Sequence, residues 1–143
     1  MASYTKFNQF VEDIVEGVHN LTTGSLKVLL TLTAPVATNS VKAYLTEISA
    51  GNGYTAGGTA ATVTTSAQSS GTYTLAANQV VFTASGGAIA NFRYVVLYND
   101  TPSSPADPLI GFWDYGSTVT LNDTDTFTVK FNNANPGTIF TLA

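Results

Sequence analysis

The chain has 143 residues, 10% of them charged and 44% hydrophobic, with five basic against nine acidic side chains and a net charge of -4; this length supports one domain with a sizeable core. A phosphate-binding surface needs clustered Lys and Arg, so nucleic acid is excluded as a partner. The absence of cysteine removes disulfides, thiolate metal sites and thiol nucleophiles, and a single histidine removes multi-His metal centres.

An ordinary soluble domain carries about 25% charged residues, so neutral groups must cover this surface. Thr is the most frequent residue, a composition suited to strands and turns rather than long helices. The fold class expected is mainly β, an antiparallel β-sandwich or barrel-like domain with one N-terminal amphipathic α-helix. A single domain 1–143 is expected, with the helix in segment 1–20 and the β domain in 21–143.

From Thr5 to Glu16, Phe7, Phe10, Val11, Ile14 and Val15 recur at the spacing of one helical stripe. Ser3 or Thr5 is placed to cap that helix, and Gly17 to end it in the left-handed conformation. Glu12, Asp13 and Glu16 fall on the opposite face, where a signal peptide would need an apolar run. Synthesis in a cytoplasm without export by the usual route is therefore expected. No apolar run reaches the length of a membrane span, so no membrane partner is expected.

Ser25 to Thr33 alternates as a strand, with Leu26, Val28, Leu30 and Leu32 on one face. Residues 34–61 form a long loop in which Pro35 and the run Gly51-Asn52-Gly53-Tyr54-Thr55-Ala56-Gly57-Gly58 forbid a regular element, although Val41 to Ile48 suits a short helix or strand. So long a loop in a compact domain is functional or packed on a partner, and Tyr54 is its natural anchor.

Strand patterns then recur at Thr62–Ser66, Thr72–Leu75, Gln79–Ala84, Ala90–Tyr98, Leu109–Tyr115, Thr118–Leu121, Thr126–Phe131 and Thr138–Leu142. Turns are expected at Ser69-Ser70-Gly71, Ala76-Ala77-Asn78, Ser85-Gly86-Gly87, Asn122 to Asp125 and Asn135-Pro136-Gly137. Phe92 to Tyr98 and Leu109 to Trp113 are apolar at both parities, which places them at the centre of a sheet covered on both faces. The proline-rich stretch Thr101 to Pro108 between them reads as an exposed, semi-extended loop.

Few residues carry chemistry. His19 lies just past the helix and reads as a capping or packing residue. Asp123 and Asp125 read as turn residues, since the further ligands of a calcium loop are missing. Asp107 and Asp114 have no spacing that marks a glycosidase pair, and the glycine run lacks the Lys and the helix of a phosphate cradle. Arg93 and Asp114, the charges inside the central strands, must pair or face a subunit interface. Trp113, Tyr115, Tyr94 and Tyr98 are expected to form an aromatic cluster. Neither cofactor nor metal is expected.

Several stretches together carry a family likeness. Tyr4-Thr5-Lys6-Phe7, Phe10-Val11-Glu12, Gly17-Val18-His19-Asn20-Leu21 and Leu26-Lys27-Val28 are part of it. So are the block Glu47 to Gly58 and the stretch Leu109-Ile110-Gly111-Phe112-Trp113-Asp114-Tyr115-Gly116-Ser117. The chain resembles small virion structural proteins of tailed bacteriophages. The resemblance implies a non-enzymatic head decoration or minor capsid protein on the capsid surface, with the major capsid protein and copies of itself as partners and no small-molecule substrate. Its motifs bring no catalytic residues. Phe7, Phe10, Tyr54, Arg93 and Trp113 are the interface residues expected on this reading. Two other classes follow from the residues: a tail or head-fibre module binding host glycans through exposed aromatics, and an envelope-degrading enzyme, which would need Asp114 or His19 in a cleft.

Overall fold

In the computed structural model, which describes residues 2–143, the chain is mainly β. In chain order the strands are β1 (Tyr4–Lys6), β2 (Leu26–Thr31), β3 (Thr59–Ala60), β4 (Val63–Ser69) and β5 (Thr72–Ala77), followed by β6 (Val80–Thr83), β7 (Ile89–Asn99), β8 (Leu109–Leu121), β9 (Thr126–Val129) and β10 (Gly137–Leu142). Helix α1 spans Gln9–Val15, and single 3-10 turns occupy Lys42–Tyr44 and Phe131–Asn133. A five-stranded sheet of order β1-β8-β7-β2-β3 packs with a three-stranded sheet β10-β5-β4 and a two-stranded sheet β6-β9. All pairings are antiparallel. Among the described residues no helix is long and apolar enough to cross a membrane.

The five-stranded sheet is covered on both faces, as the doubly apolar β7 and the start of β8 require. Val28, Leu30, Phe92, Leu97 and Ile110 meet Leu75, Phe82, Phe131 and Ile139 in the main core. The alternate residues Leu29, Val96, Tyr98 and Leu109 form a second cluster with Phe7, against which Leu45 and Phe112 pack. β2 is therefore also a central strand, and its exposed continuation at Leu32 lies beyond the pairing that ends at Thr31↔Tyr94.

The long loop supplies the second cover, so its partner is the chain's own sheet. Leu109 N donates to the Ser40 carbonyl, Asn8 N to Ala37 and Ile48 N to Leu30. Tyr54 reaches from the loop into the main core. Its hydroxyl donates to Glu47 at 2.7 Å and accepts from the Leu30 amide at 3.1 Å. Glu47 also accepts from Gly57 N at 2.6 Å, and Tyr98 donates to the Gly57 carbonyl at 2.6 Å. The glycine run is thus spent on internal bonds, with Tyr54 as the anchor.

Four expectations are corrected. The helix does not begin at Thr5: Tyr4–Lys6 pairs with Gly111–Trp113 as an edge strand in which only Tyr4 is half-buried. Asn8 holds the N-cap position without a side-chain bond, leaving Ser3 and Thr5 out of the capping role, while Gly17 ends the helix with φ +78° as expected. Asp13 is buried rather than solvent-facing and accepts from Gln9 at 3.2 Å. Finally, Leu109–Tyr115 and Thr118–Leu121 are one strand, interrupted where Asp114 accepts from Gly116 N at 2.8 Å in a bulge.

Candidate interaction surface

Two sheet edges lie side by side on this molecule. β1 ends the five-stranded sheet and β10 ends the three-stranded one. The space between them is a groove of three adjoining cavities. The first, ≈ 500 Å³, lies between α1 and the ends of β1 and β10, lined by Tyr4, Lys6, Val11, Val15, Phe140 and Leu142. The second, ≈ 460 Å³, continues along β10 past Tyr4, Trp113 and Lys130. A third, ≈ 250 Å³, runs under Trp113 to Phe127 and Val129.

The sequence builds this groove by leaving apolar side chains half covered. α1 is only seven residues long, too short to stand alone, and is held by Phe10 in the main core with Ile14 packed against it. The rest of its stripe points outward: Val11 is 50% and Val15 81% exposed, and Leu142 across the groove is 54% exposed. Trp113 forms the wall, with its ring centroid 5.3 Å from Tyr4 and 5.5 Å from Phe131.

Charge is distributed unevenly around it. Lys27 pairs with Asp100 at 2.8 Å, Lys42 with Asp107 at 3.9 Å and Arg93 with Asp114 at 2.7 Å. The Arg93 fork is bidentate, its second nitrogen donating to Asp114 at 2.9 Å, and with the Gly116 amide it holds the Asp114 carboxyl below the usual range. Lys27 does the same for Asp100, whereas burial pushes Asp107 up. The two remaining lysines, Lys6 and Lys130, both line the groove.

The expected interface residues separate by burial. Phe7 packs tilted against Phe112 with ring centroids 5.0 Å apart, Phe10 meets Phe140 edge-on at 5.4 Å and Tyr54 packs tilted against Phe82 at 5.9 Å. All three are buried in the chain's own core, and of them only Phe10 also lines the first cavity. Arg93 is exposed with Asp114 as partner, and Trp113 reaches the groove. Nor do Trp113, Tyr115, Tyr94 and Tyr98 make one cluster: Tyr98 belongs to the second core cluster, Tyr115 packs on Phe127 and Tyr94 lies beside Arg93. Sequence reasoning missed Val15, Phe140 and Leu142 as groove residues. The uncharged run Thr138 to Leu142 was the available signal.

Other candidates have structural posts. Asp123 accepts from Gly86 N at 2.9 Å and Asp125 from Asn122 N at 3.0 Å, as turn residues do. Asp107 and Asp114 serve different ion pairs. Among the described residues no group of three His, Cys, Asp or Glu side chains could hold a metal.

His19 is buried beside Phe10, with Nδ1 3.3 Å from Asn99 and Nε2 without a partner. Burial lowers its pKa from 6.5, against a smaller upward pull from Asp13. The folded chain therefore holds neutral His19, while the unfolded chain takes up the proton first as pH falls. Stability is full above about 6.5 and declines below it until the folded His19 also protonates. A His19→Gln variant should show a flatter melting temperature between pH 7 and pH 5 than the parent, measured by thermal denaturation.

Compared with family models, curated proteins and solved structures, the chain matches none.

Proposed function

We propose that this chain is a non-enzymatic structural protein of a tailed-bacteriophage virion that decorates the head by binding between capsomers. The observation that carries this reading is the continuous surface of α1, β1 and β10. It joins exposed apolar side chains to two unpaired strand edges on a body with few charges. Such a surface loses little on burial against a neighbour, since few charges must be desolvated. A groove that runs along two strand edges suits a partner protein rather than a small molecule. The sequence likeness to virion structural proteins supports the same reading, and the major capsid protein together with copies of this chain would be the partners.

A protein that binds the assembled shell and not its free subunits stabilises the shell by mass action, by about 2.7 kcal/mol per site at a hundredfold excess over Kd. Particles lacking the protein should assemble with normal geometry and rupture at lower temperature, and purified protein added back should restore the parental rupture temperature. Unchanged rupture with and without the protein would contradict decoration.

A further inference from the structure

We propose that His19 is an acid-released latch: neutral, it ties α1 and the turn after it to the end of β7, and charged, it lets go of β7, so that acid loosens the wall of the groove that α1 forms. This adds regulation to the surface described above and rests on that reading for its consequence, the release of a bound partner in acid.

Local backbone bonds set the latch in place. Gly17 closes α1 with φ +78°, and Val18 N donates to the Asp13 carbonyl at 2.8 Å, the longer bond of a Schellman turn. His19 follows at once and is buried against Phe10, whose ring it meets edge-on at 5.2 Å. Facing it is Asn99, the buried last residue of β7. Asn99 Oδ1 accepts from Thr101 N at 3.1 Å, which turns the amide nitrogen toward His19 Nδ1 at 3.3 Å. An amide nitrogen only donates, so Nδ1 is the bare acceptor and the ring proton sits on Nε2.

Protonation of Nδ1 undoes this arrangement. It sets one N–H against another, and Asn99 can offer its oxygen to His19 only by giving up Thr101. The new charge finds its counter-ion on the helix side. Asp13 is buried and pulls the His19 pKa upward, and among the described residues neither Asp13 Oδ2 nor His19 Nε2 has a partner. Charged His19 therefore exchanges a bond to β7 for attraction to α1.

No other charge nearby reverses that choice. Glu12 and Glu16, on and just after α1, are exposed, and Asp100 beside Asn99 is held by Lys27 at 2.8 Å. β5 brings Tyr73 to the cavity next to His19, with its hydroxyl 2.7 Å from Ser66, and β10 brings the uncharged Phe140 and Leu142. Phe10 in the core and the β1 ladder still hold the segment, so acid makes local opening more frequent without unfolding the chain. In the opened segment His19 has its ordinary pKa of 6.5, whereas burial lowers that of the closed form. Opening thus becomes easier below pH 6.5, by up to about tenfold per pH unit, until the closed form also takes the proton.

Hydrogen exchange of the purified full chain between pH 7 and pH 5, with no particle present, tests this apart from the virion reading. With the intrinsic pH dependence of exchange divided out, protection at Glu16 and Val18 should fall several-fold while amides of the β7–β8 ladder keep theirs. Nitrogen NMR of the ring is unambiguous, because the chain has one histidine, and should find Nδ1 unprotonated at pH 7. Asn99→Asp puts an acceptor where the donor was, so it should raise the His19 pKa and abolish the acid-dependent loss of protection. Should that variant fail to fold, the nitrogen spectrum and the exchange of the parent chain decide alone. A ring protonated on Nδ1 at pH 7, protection at α1 that ignores pH, an acid loss spread equally over β7 and β8, or an Asn99→Asp chain that loosens like the parent would overturn the proposal.

Discussion

Tyr54→Ala should lower stability by about 3–5 kcal/mol, the range for removing a large buried aromatic. Tyr54 is 3% exposed and packs on Phe82 in the main core. Its hydroxyl links the Leu30 amide of β2 to Glu47 in the long loop, so the variant opens a cavity and strands two polar groups at once. Burial also pushes the phenol pKa up, which keeps the donating proton in place. Tyr54→Phe separates the two effects: the ring stays and the expected cost falls to about 1–3 kcal/mol, the penalty for unpartnered buried groups. Denaturant unfolding monitored by circular dichroism checks both. A loss below 1 kcal/mol for the alanine variant would mean that the loop is held to the sheet by other contacts.

Gly58→Ala is expected to be comparably severe, above about 3 kcal/mol, for a backbone reason. Gly58 has φ +82°, and a Cβ there would lie 1.9 Å from the Val28 carbonyl oxygen and 2.6 Å from its carbonyl carbon. Val28 sits on central strand β2, which cannot move aside without disturbing its pairing with β7. The clash would instead push away Thr59–Ala60, the two-residue β3. Gly51→Ala is the control. Its φ is +134°, but no atom lies within 4 Å of the added carbon, so only the backbone strain of about 1–3 kcal/mol is expected. If the two variants unfold at the same denaturant concentration, close approach is not what Gly58 provides.

Both predictions fall in residues 34–61, where the sequence is informative about some things and silent about others. Tyr54 amid glycines identifies an anchor, because a large aromatic in a flexible stretch gains by burial. What it anchors is set by contacts such as Ile48 N to the Leu30 carbonyl, which no periodicity within the loop specifies. Alternation locates β9 and β10 to within a few residues, since each buries residues at period two, and an apolar run at both parities locates β7. It fails at Tyr4–Lys6, where three residues cannot show a period and Phe7 and Phe10 happen to fit a helical stripe while serving two different cores. It also divides β8 at Gly116, because a glycine in a bulge reads like a turn.

The groove was hidden for a related reason. Its walls come from opposite ends of the chain: Tyr4 on β1, Trp113 on β8 and Phe140 on β10 meet only once both sheets are formed. Each has a local pattern consistent with ordinary core. Arg93 and Asp114 were easier to connect, since they are the two opposite charges in adjacent apolar strands, although the pair they form is exposed.

Underlying the functional reading is the idea that a protein with so few charges works with its exterior covered. Cryo-electron microscopy of particles restored by adding back the purified chain tests this most directly. The account predicts ordered copies between capsomers on the head, with α1 and β10 turned toward a neighbouring subunit. Copies confined to the tail, or particles carrying none at all, would contradict it.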